Sequence, residues 1–246
     1  MFRMIVGLIA NKHCGKTYFA SRLMRIGKDM GYDFKRLPFA GALKALSHSL
    51  FRVSFSKDFK AVVEYTKTIQ IPVQEHTCVL SKKDFTKRLV EFGNLVKKLA
   101  NKKGRFEASE IPDTLLNELY ALYTAFHRSR DEACARRFLQ LMGTEFGRDL
   151  IDKDVWIRIV DRFVAKNPGL DVVIDDVRFP NEFEWLRSAG GISVYIYTEK
   201  EVASDTHPSE VYIKELGKKC DYKVFNTFEE SIFDEVIKEI LSKKLV

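Results

Sequence analysis

The chain opens on an unbroken apolar run, residues 2–9 (FRMIVGLI). Four more short, β-rich runs follow at 35–40 (KRLPFA), 171–176 (DVVIDD), 192–198 (ISVYIYT) and 221–226 (DYKVFN). Their hydrophobicity is near-continuous and does not alternate, as expected of strands buried on both faces of a parallel sheet. Helical patterns over 16–30, 41–51, 181–189 and 228–244 lie between or after them. The last (FEESIFDEVIKEILSKK) places apolar residues at 232, 233, 236, 237, 240 and 241, one stripe at helical spacing. Strands alternating with helices in this way predict an α/β, doubly wound layout.

About 130 residues with little strand character separate the second and third strands. That is too long for a simple crossover. A polar-amphipathic region from about 82 to 165 fills most of it. The pattern predicts one domain over 1–246 with a mostly helical insertion over 52–165 that covers the sheet's carboxyl edge. An apolar fraction of 46% and a charged fraction of 30% fit a globular chain. No apolar run approaches the ~20 residues that a membrane-spanning helix needs. The N-terminal run leads straight into a polar loop, so it reads as a core strand and not as a signal peptide.

That loop is "ANKHCGKT", residues 10–17, set between a strand and a helix. Gly15, Lys16 and Thr17 stand at the spacing of a phosphate-binding loop. In such a loop backbone N–H groups and a helix N-terminus cradle phosphates, the lysine reaches the β- and γ-phosphates, and the next hydroxyl helps hold Mg²⁺. The usual first glycine is Ala10, which can serve if the position needs φ < 0. Asn11, Lys12, His13 and Cys14 complete the loop, and Lys12 and His13 add positive charge at its crown. The expected fold is therefore a three-layer sandwich of the P-loop NTPase type, with a five-stranded parallel sheet.

Charge narrows the partners. Lys plus Arg total 41 against 34 Asp plus Glu, a net +7 that favours anionic ligands. The lysines of 82–105 read as a solvated helix face. Arginines gather later, at Arg128, Arg130, Arg136, Arg137 and Arg148. A guanidinium fork matches phosphate bidentately. Within 135–163, Gly143-Thr144 breaks a helix-like run and offers a hydroxyl and close backbone approach. Trp156 is either a stacking platform for a base or a core aromatic within "VWIRIV". Asp175 and Asp176 end the third strand, where ligands bind in open α/β sheets. Asp176 and Arg178 read either as site residues or as a structural ion pair, and Glu182 opens the next helix. Four dispersed cysteines, without metal-ligand spacing, imply reduced thiols in a cytosol-like compartment. No N-K-x-D guanine-reading tetrapeptide occurs.

Several ordered pieces resemble the deoxynucleoside monophosphate kinases of phages and large DNA viruses. They are the N-terminal strand and loop, "AGALKAL" (40–46), "RRFLQLMGTEFGRDLI…VW" (136–156), "DDVRFPNE" (175–182) and "SDTHPSE" (204–210). The resemblance covers about half the chain; residues from about 52 to 130 match weakly or not at all. Family loops commonly keep the glycine that Ala10 replaces. The resemblance implies ATP as donor on the loop and Mg²⁺ held through Thr17. It implies a deoxynucleoside monophosphate held by Lys44, Arg136, Arg137, Gln140, Gly143, Thr144, Arg148, Trp156, Asp176, Arg178 and Glu182. Lys16, Arg137, Asp176 and Arg178 would then act in transfer. The last-strand segment "CDYKVFNTFEE" is similar to the region bordering adenine in nucleotide and coenzyme kinases, which places Asn226 and Thr227 near the donor base.

The expected activity is transfer of the ATP γ-phosphoryl to a deoxynucleoside monophosphate by positioning and charge neutralisation, without a side-chain nucleophile. The substrates are small molecules; no stable nucleic-acid partner and no membrane are expected, and a homodimer is compatible with the sequence. The implied location is cytoplasmic, in a host if the source is viral. Two alternatives stay open. One is a related kinase resembling dephospho-coenzyme A or phosphomevalonate kinases. The other is a nucleic-acid-binding ATPase, which would need a water-activating residue and exposed aromatics along a basic groove.

Overall fold

Strand β1, Ile5–Ala10, is buried at every position, and the rest of the sheet is arranged around it. The computed structural model describes residues 3–54, 65, 79–199 and 212–242; "SDTHPSE" and most of 55–78 lie outside them. Two compact units are present: residues 1–39 with 164–246, and residues 40–163.

The first unit holds a parallel sheet of β1, β2 (Phe34–Arg36), β3 (Asp171–Ile174), β4 (Ile192–Tyr197) and β5 (Tyr222–Phe225), in the order β2-β3-β1-β4-β5. Residues Ile5 to Gly7 lie in register with Val172 to Ile174, and Val6 to Ala10 with Ile192 to Ile196. Both faces are covered, which explains the continuous apolar runs. Val6, Leu8, Ala10, Val173, Val194, Ile196 and Val224 share one core with Phe19, Ala20 and Leu23 of α1 (Lys16–Asp29) and with Phe233, Ile237 and Ile240 of the C-terminal helix, Glu230–Ser242. On the other face, a Cβ at Gly7 would fall 2.2 Å from Leu186 Cδ2, so the helix Pro180–Ser188 packs against bare backbone there.

Two strands end two or more residues sooner than their apolar runs. The 35–40 run ends its pairing with Leu37, whose N–H donates to the Val173 carbonyl. Pro38 has no N–H to continue the ladder, and the N–H of Phe39 turns to Asp176 Oδ1 at 2.8 Å. The same carboxylate, with Asp175, ends β3 two residues short of the run.

Among its described residues the regular elements of the second unit are all helical: α2 (Gly41–Phe51), α3 (Lys82–Leu99), a 3-10 turn at Ala108–Glu110, α4 (Asp113–Ser129), α5 (Glu132–Leu141), a π-helix over Met142–Ile151, and α6, Val155–Lys166, whose last turn crosses the division. Its boundary at Ala40 takes in α2, which lies outside the expected 52–165 insertion. The reason lies in packing. α2 is buried at every position but Lys44 and His48, and a helix so enclosed belongs wherever a core surrounds it. Phe51 at its end lies at the centre of an aromatic cluster, with ring centroids 5.2 Å from Phe85, 5.6 Å from Phe138, 6.3 Å from Phe92 and 6.4 Å from Tyr123. Caps define the ends of neighbouring helices: Ser81 Oγ accepts from Asp84 N–H and Asp131 Oδ1 from Ala133 N–H.

Asp152 terminates the π-helix. Oδ2 pairs with Lys102 and, at 3.2 Å, with Arg158, while Oδ1 accepts from Asp154 N–H at 2.8 Å. Burial alone would raise its pKa, but these partners, Lys102 first, hold the carboxyl below its usual range. A folded-state pKa below the unfolded one gives stability that is present above the ordinary carboxylate range and is lost as pH falls through the folded value. Asp152→Asn is expected to lower stability at pH 7 by about 1–2 kcal/mol. It should also flatten the loss of thermal stability below about pH 4, as read by melting curves from pH 7 to 3.

Candidate active site

The loop after β1 is shaped by two left-handed residues. Gly15 has φ 92° and ψ 7° and caps α1; His13 has φ 64°. Positive φ costs glycine nothing. Alternating backbone of this kind turns successive N–H groups inward to form an anion-binding concavity. The first turn of α1 has no side-chain cap and no acidic residue, so nothing in it neutralises the helix's positive end. Lys16 Nζ folds back to the carbonyls of Asn11 (3.1 Å) and Ala10 (3.4 Å). Ala10 itself is the last residue of β1, paired with Ile196 and extended. The position usually held by a glycine therefore demands no left-handed backbone here.

Cys14 and Asn226 anchor the loop from below. Cys14 is 5% exposed and belongs to the core beneath α1. Asn226, also buried, donates from Nδ2 to the Cys14 carbonyl at 3.1 Å, and its Oδ1 accepts from Phe228 N–H at 2.8 Å. A Cβ at Gly15 would fall 2.7 Å from Asn226 Nδ2. Both ends of the amide expected near a donor base are thus engaged in building the loop.

At the end of β3, Asp175 pairs through Oδ2 with Arg36 of β2. Its Oδ1 is buried with no hydrogen-bonding partner among the described residues. A buried carboxylate oxygen left in that state is costly and marks a place suited to a cation or its water. By two-residue alternation Asp175 shares a face with Val173, on the α1 side of the sheet. Asp176 instead accepts from Phe39 N–H. Asp175 was not among the expected site residues, although its strand-end position next to Asp176 was visible; only its register separates the two. Glu182, 2% exposed, receives the N–H groups of Arg178 and Phe179 on Oε2 at 2.8 and 3.1 Å. It fixes the backbone of the Asp-x-Arg segment, a positioning part.

The remaining expected residues lie in the helical unit. Lys44 is on α2. Arg136, Arg137 and Gln140 are on α5, with Arg136 and Arg137 exposed and Gln140 half-buried. Arg137 pairs with Glu118 of α4 at 3.0 Å. Gly143, Thr144 and Arg148 are on the π-helix, and Arg148 donates to the Lys153 carbonyl at 3.1 Å. Segments of π-helix are rare and occur often at functional sites. Trp156 of α6 braces this one. Its indole N–H donates to the Gly143 carbonyl at 2.8 Å, and a Cβ at Gly147 would fall 2.5 Å from its Cζ2. At 3% exposure the geometry favours the core reading of Trp156 over the stacking platform.

A parallel sheet of this order, with a Gly-Lys-Thr loop turning left-handed after its central strand, defines an α/β protein of the phosphate-loop kinase type. A family model described as deoxynucleotide monophosphate kinase matches residues 4–229, and the chain belongs to that family. It is 36% identical over 101 residues to the deoxynucleoside-5'-monophosphate kinase of Escherichia phage T5, a stretch covering 38% of this chain and 40% of that protein. It is 31% identical over 116 residues to a putative deoxynucleotide monophosphate kinase of Acanthamoeba polyphaga mimivirus, covering 42% and 58%. The chain thus spans about half the length of the relatives it matches. Among the described residues no helix is long and apolar enough to cross a membrane, and no cluster of potential metal ligands of three or more occurs.

If Trp156 braces the π-helix, its removal shows first in stability. Trp156→Ala should cost about 3–5 kcal/mol and Trp156→Phe, which loses the hydrogen bond and part of the buried ring, a smaller amount, about 1–3 kcal/mol, measured by denaturant unfolding. A cost of under ~0.5 kcal/mol for the alanine variant would instead mark an exposed platform.

Proposed function

We propose that this protein transfers the γ-phosphoryl group of ATP to a deoxynucleoside monophosphate, giving the diphosphate and ADP. The observation that carries the reading is the left-handed Gly15 turn that opens α1 with Lys16 at the loop's mouth, in a chain whose family model spans residues 4–229. Such transfer needs little covalent help from the protein; positioning and neutralisation of charge spread over the phosphoryl oxygens supply the rate.

The parts are assigned as follows. The N–H groups of the loop around Gly15 and the start of α1 receive the donor phosphates. Lys16 leaves the Ala10 and Asn11 carbonyls to reach the β- and γ-oxygens. Thr17 and Asp175 would hold Mg²⁺ and its water, which neutralises charge on the donor phosphates when bound; the unpartnered Oδ1 of Asp175 fits that role. Asp176 shapes the loop after β2 through Phe39. Within the sheet unit, Arg178 is the cation offered to the transferred group; within the helical unit, Arg136, Arg137 and Arg148 are the cations offered to the acceptor phosphate. Lys44 and Gln140 add polar contacts. Arg137's present partner does not prevent this, because an exposed pair is worth only ~0–1 kcal/mol and a phosphate competes readily for a guanidinium. Gly143 and Thr144, held by Trp156, present backbone and hydroxyl to the acceptor. The acceptor and donor are small molecules, and no nucleic-acid partner is required.

The related-kinase alternative, toward a coenzyme or phosphomevalonate acceptor, shares the loop but not the family match. An ADP-release assay with each deoxynucleoside monophosphate, each ribonucleoside monophosphate and no acceptor separates the readings. Acceptor-dependent ADP release is expected with at least one deoxynucleotide. Lys16→Ala should lower that rate by 100-fold or more, about 3 kcal/mol of transition-state stabilisation, with the melting temperature unchanged. ATP consumption independent of acceptor would support the ATPase reading.

A further inference from the structure

A loop that binds phosphate through backbone N–H groups needs each of those peptides turned the right way. In a planar trans peptide the C=O and N–H point in opposite directions, so whatever holds the carbonyl aims the N–H. Two consecutive peptides at the mouth of α1 are held by different means. The Gly15–Lys16 peptide is set by the helix, whose first bond runs from Phe19 N–H to the Gly15 carbonyl at 2.9 Å. The Cys14–Gly15 peptide precedes that ladder, and its carbonyl is held by Asn226 Nδ2 at 3.1 Å. The Gly15 N–H therefore points away from Asn226.

Asn226 is itself fixed from several sides. Its backbone N–H donates to the Tyr197 carbonyl at 2.8 Å, one residue beyond the end of β5. Its Oδ1 accepts from Phe228 N–H at 2.8 Å, which decides that the nitrogen end of the amide faces Cys14. The side chain is 5% exposed, and a Cβ at Gly15 would fall 2.7 Å from Nδ2, so the amide lies directly against the glycine. We propose that Asn226 is a positioning residue of phosphoryl transfer: by holding the Cys14 carbonyl it aims the Gly15 N–H at the donor's phosphates. The inference rests on the reading that the Gly15 loop binds those phosphates, and it deepens that reading. The amide acts through the loop and touches neither base nor phosphate. The task needs a donor and an acceptor on one short, rigid plane, which an asparagine supplies and a carboxylate does not.

Titration calorimetry of the full chain with MgATP and with magnesium tripolyphosphate tests this, beside the acceptor-dependent ADP-release assay. Asn226→Ala removes both side-chain bonds; Asn226→Asp keeps an acceptor for Phe228 N–H and loses the donor to Cys14. Each is expected to weaken both ligands by about tenfold at an unchanged binding stoichiometry. In the transfer assay kcat should fall about tenfold or more, while the acceptor's KM stays within about twofold. Weakening of MgATP alone would make Asn226 a base contact and overturn the proposal. So would a reduced fraction of binding-competent protein at unchanged affinity, which marks a support of the fold only, or no change at all. An effect confined to Asn226→Asp is charge repulsion, and one confined to Asn226→Ala is loss of the Phe228 bond; either overturns it. Lys16→Ala separates the underlying reading: it should weaken both ligands, and if it weakens neither the loop does not bind phosphates, whatever Asn226 does.

Discussion

The left-handed turn at Gly15, held by the Asn226 amide, is the constraint on which the site depends. It lets β1 end in an extended Ala10, reverse within a few residues and start α1 with uncapped N–H groups facing one concavity. No side chain larger than hydrogen fits there, since a Cβ would strike the amide nitrogen as well as strain the backbone. A phosphate loop is often recognised by its glycines, but here one glycine, the left-handed His13 and one buried asparagine do the shaping. The alanine at the other end lies in regular strand and needs nothing special.

The two units are built on different principles. The sheet unit is stabilised by aliphatic residues buried on both faces of parallel strands, with carboxylates at their ends: Asp171 on Met4 N–H, Asp175 on Arg36 and Asp176 on Phe39 N–H. These carboxylates end the ladder, and Asp175 Oδ1 stays buried without a hydrogen-bonding partner among the described residues. The helical unit is stabilised by aromatic rings around Phe51, and it carries a strained feature, the π-helix, that Trp156 and Asp152 hold from two sides. π-helices are rare and mostly single-turn, and this longer run over Met142–Ile151 has such supports.

What the sequence reveals follows from which forces are local. Strand positions, the parallel sheet and the Gly15-Lys16-Thr17 loop were legible, because continuous apolar runs and motif spacing report burial and backbone demand directly. α2 was placed with the sheet, because Lys44, Ser47, His48 and Ser49 scattered among its apolar residues give no single face that names its neighbour. Asp175 and Asp176 are adjacent and alike in sequence; only the register of β3 gives one a cationic partner and an idle oxygen and the other a backbone N–H. Asn226 was expected beside a base, yet its surroundings make it a strut, since its two partners lie 212 residues upstream and two residues downstream. Trp156 was balanced between core and platform, and packing against Gly143 and Gly147, outside its own helix, decides where the ring sits. The π-helix left no periodic signal, because it arises from tertiary support and not from spacing.

The central claim is that this loop, opened by alanine, binds a nucleoside triphosphate through the geometry set at Gly15. Titration of MgATP against the wild-type chain and Ala10→Gly tests it most directly. The account predicts saturable one-to-one binding by the wild type and no tighter binding by the variant, because Ala10 is already extended. No binding by the wild type, or a gain of about tenfold or more (~1.4 kcal/mol) in Ala10→Gly, would contradict it.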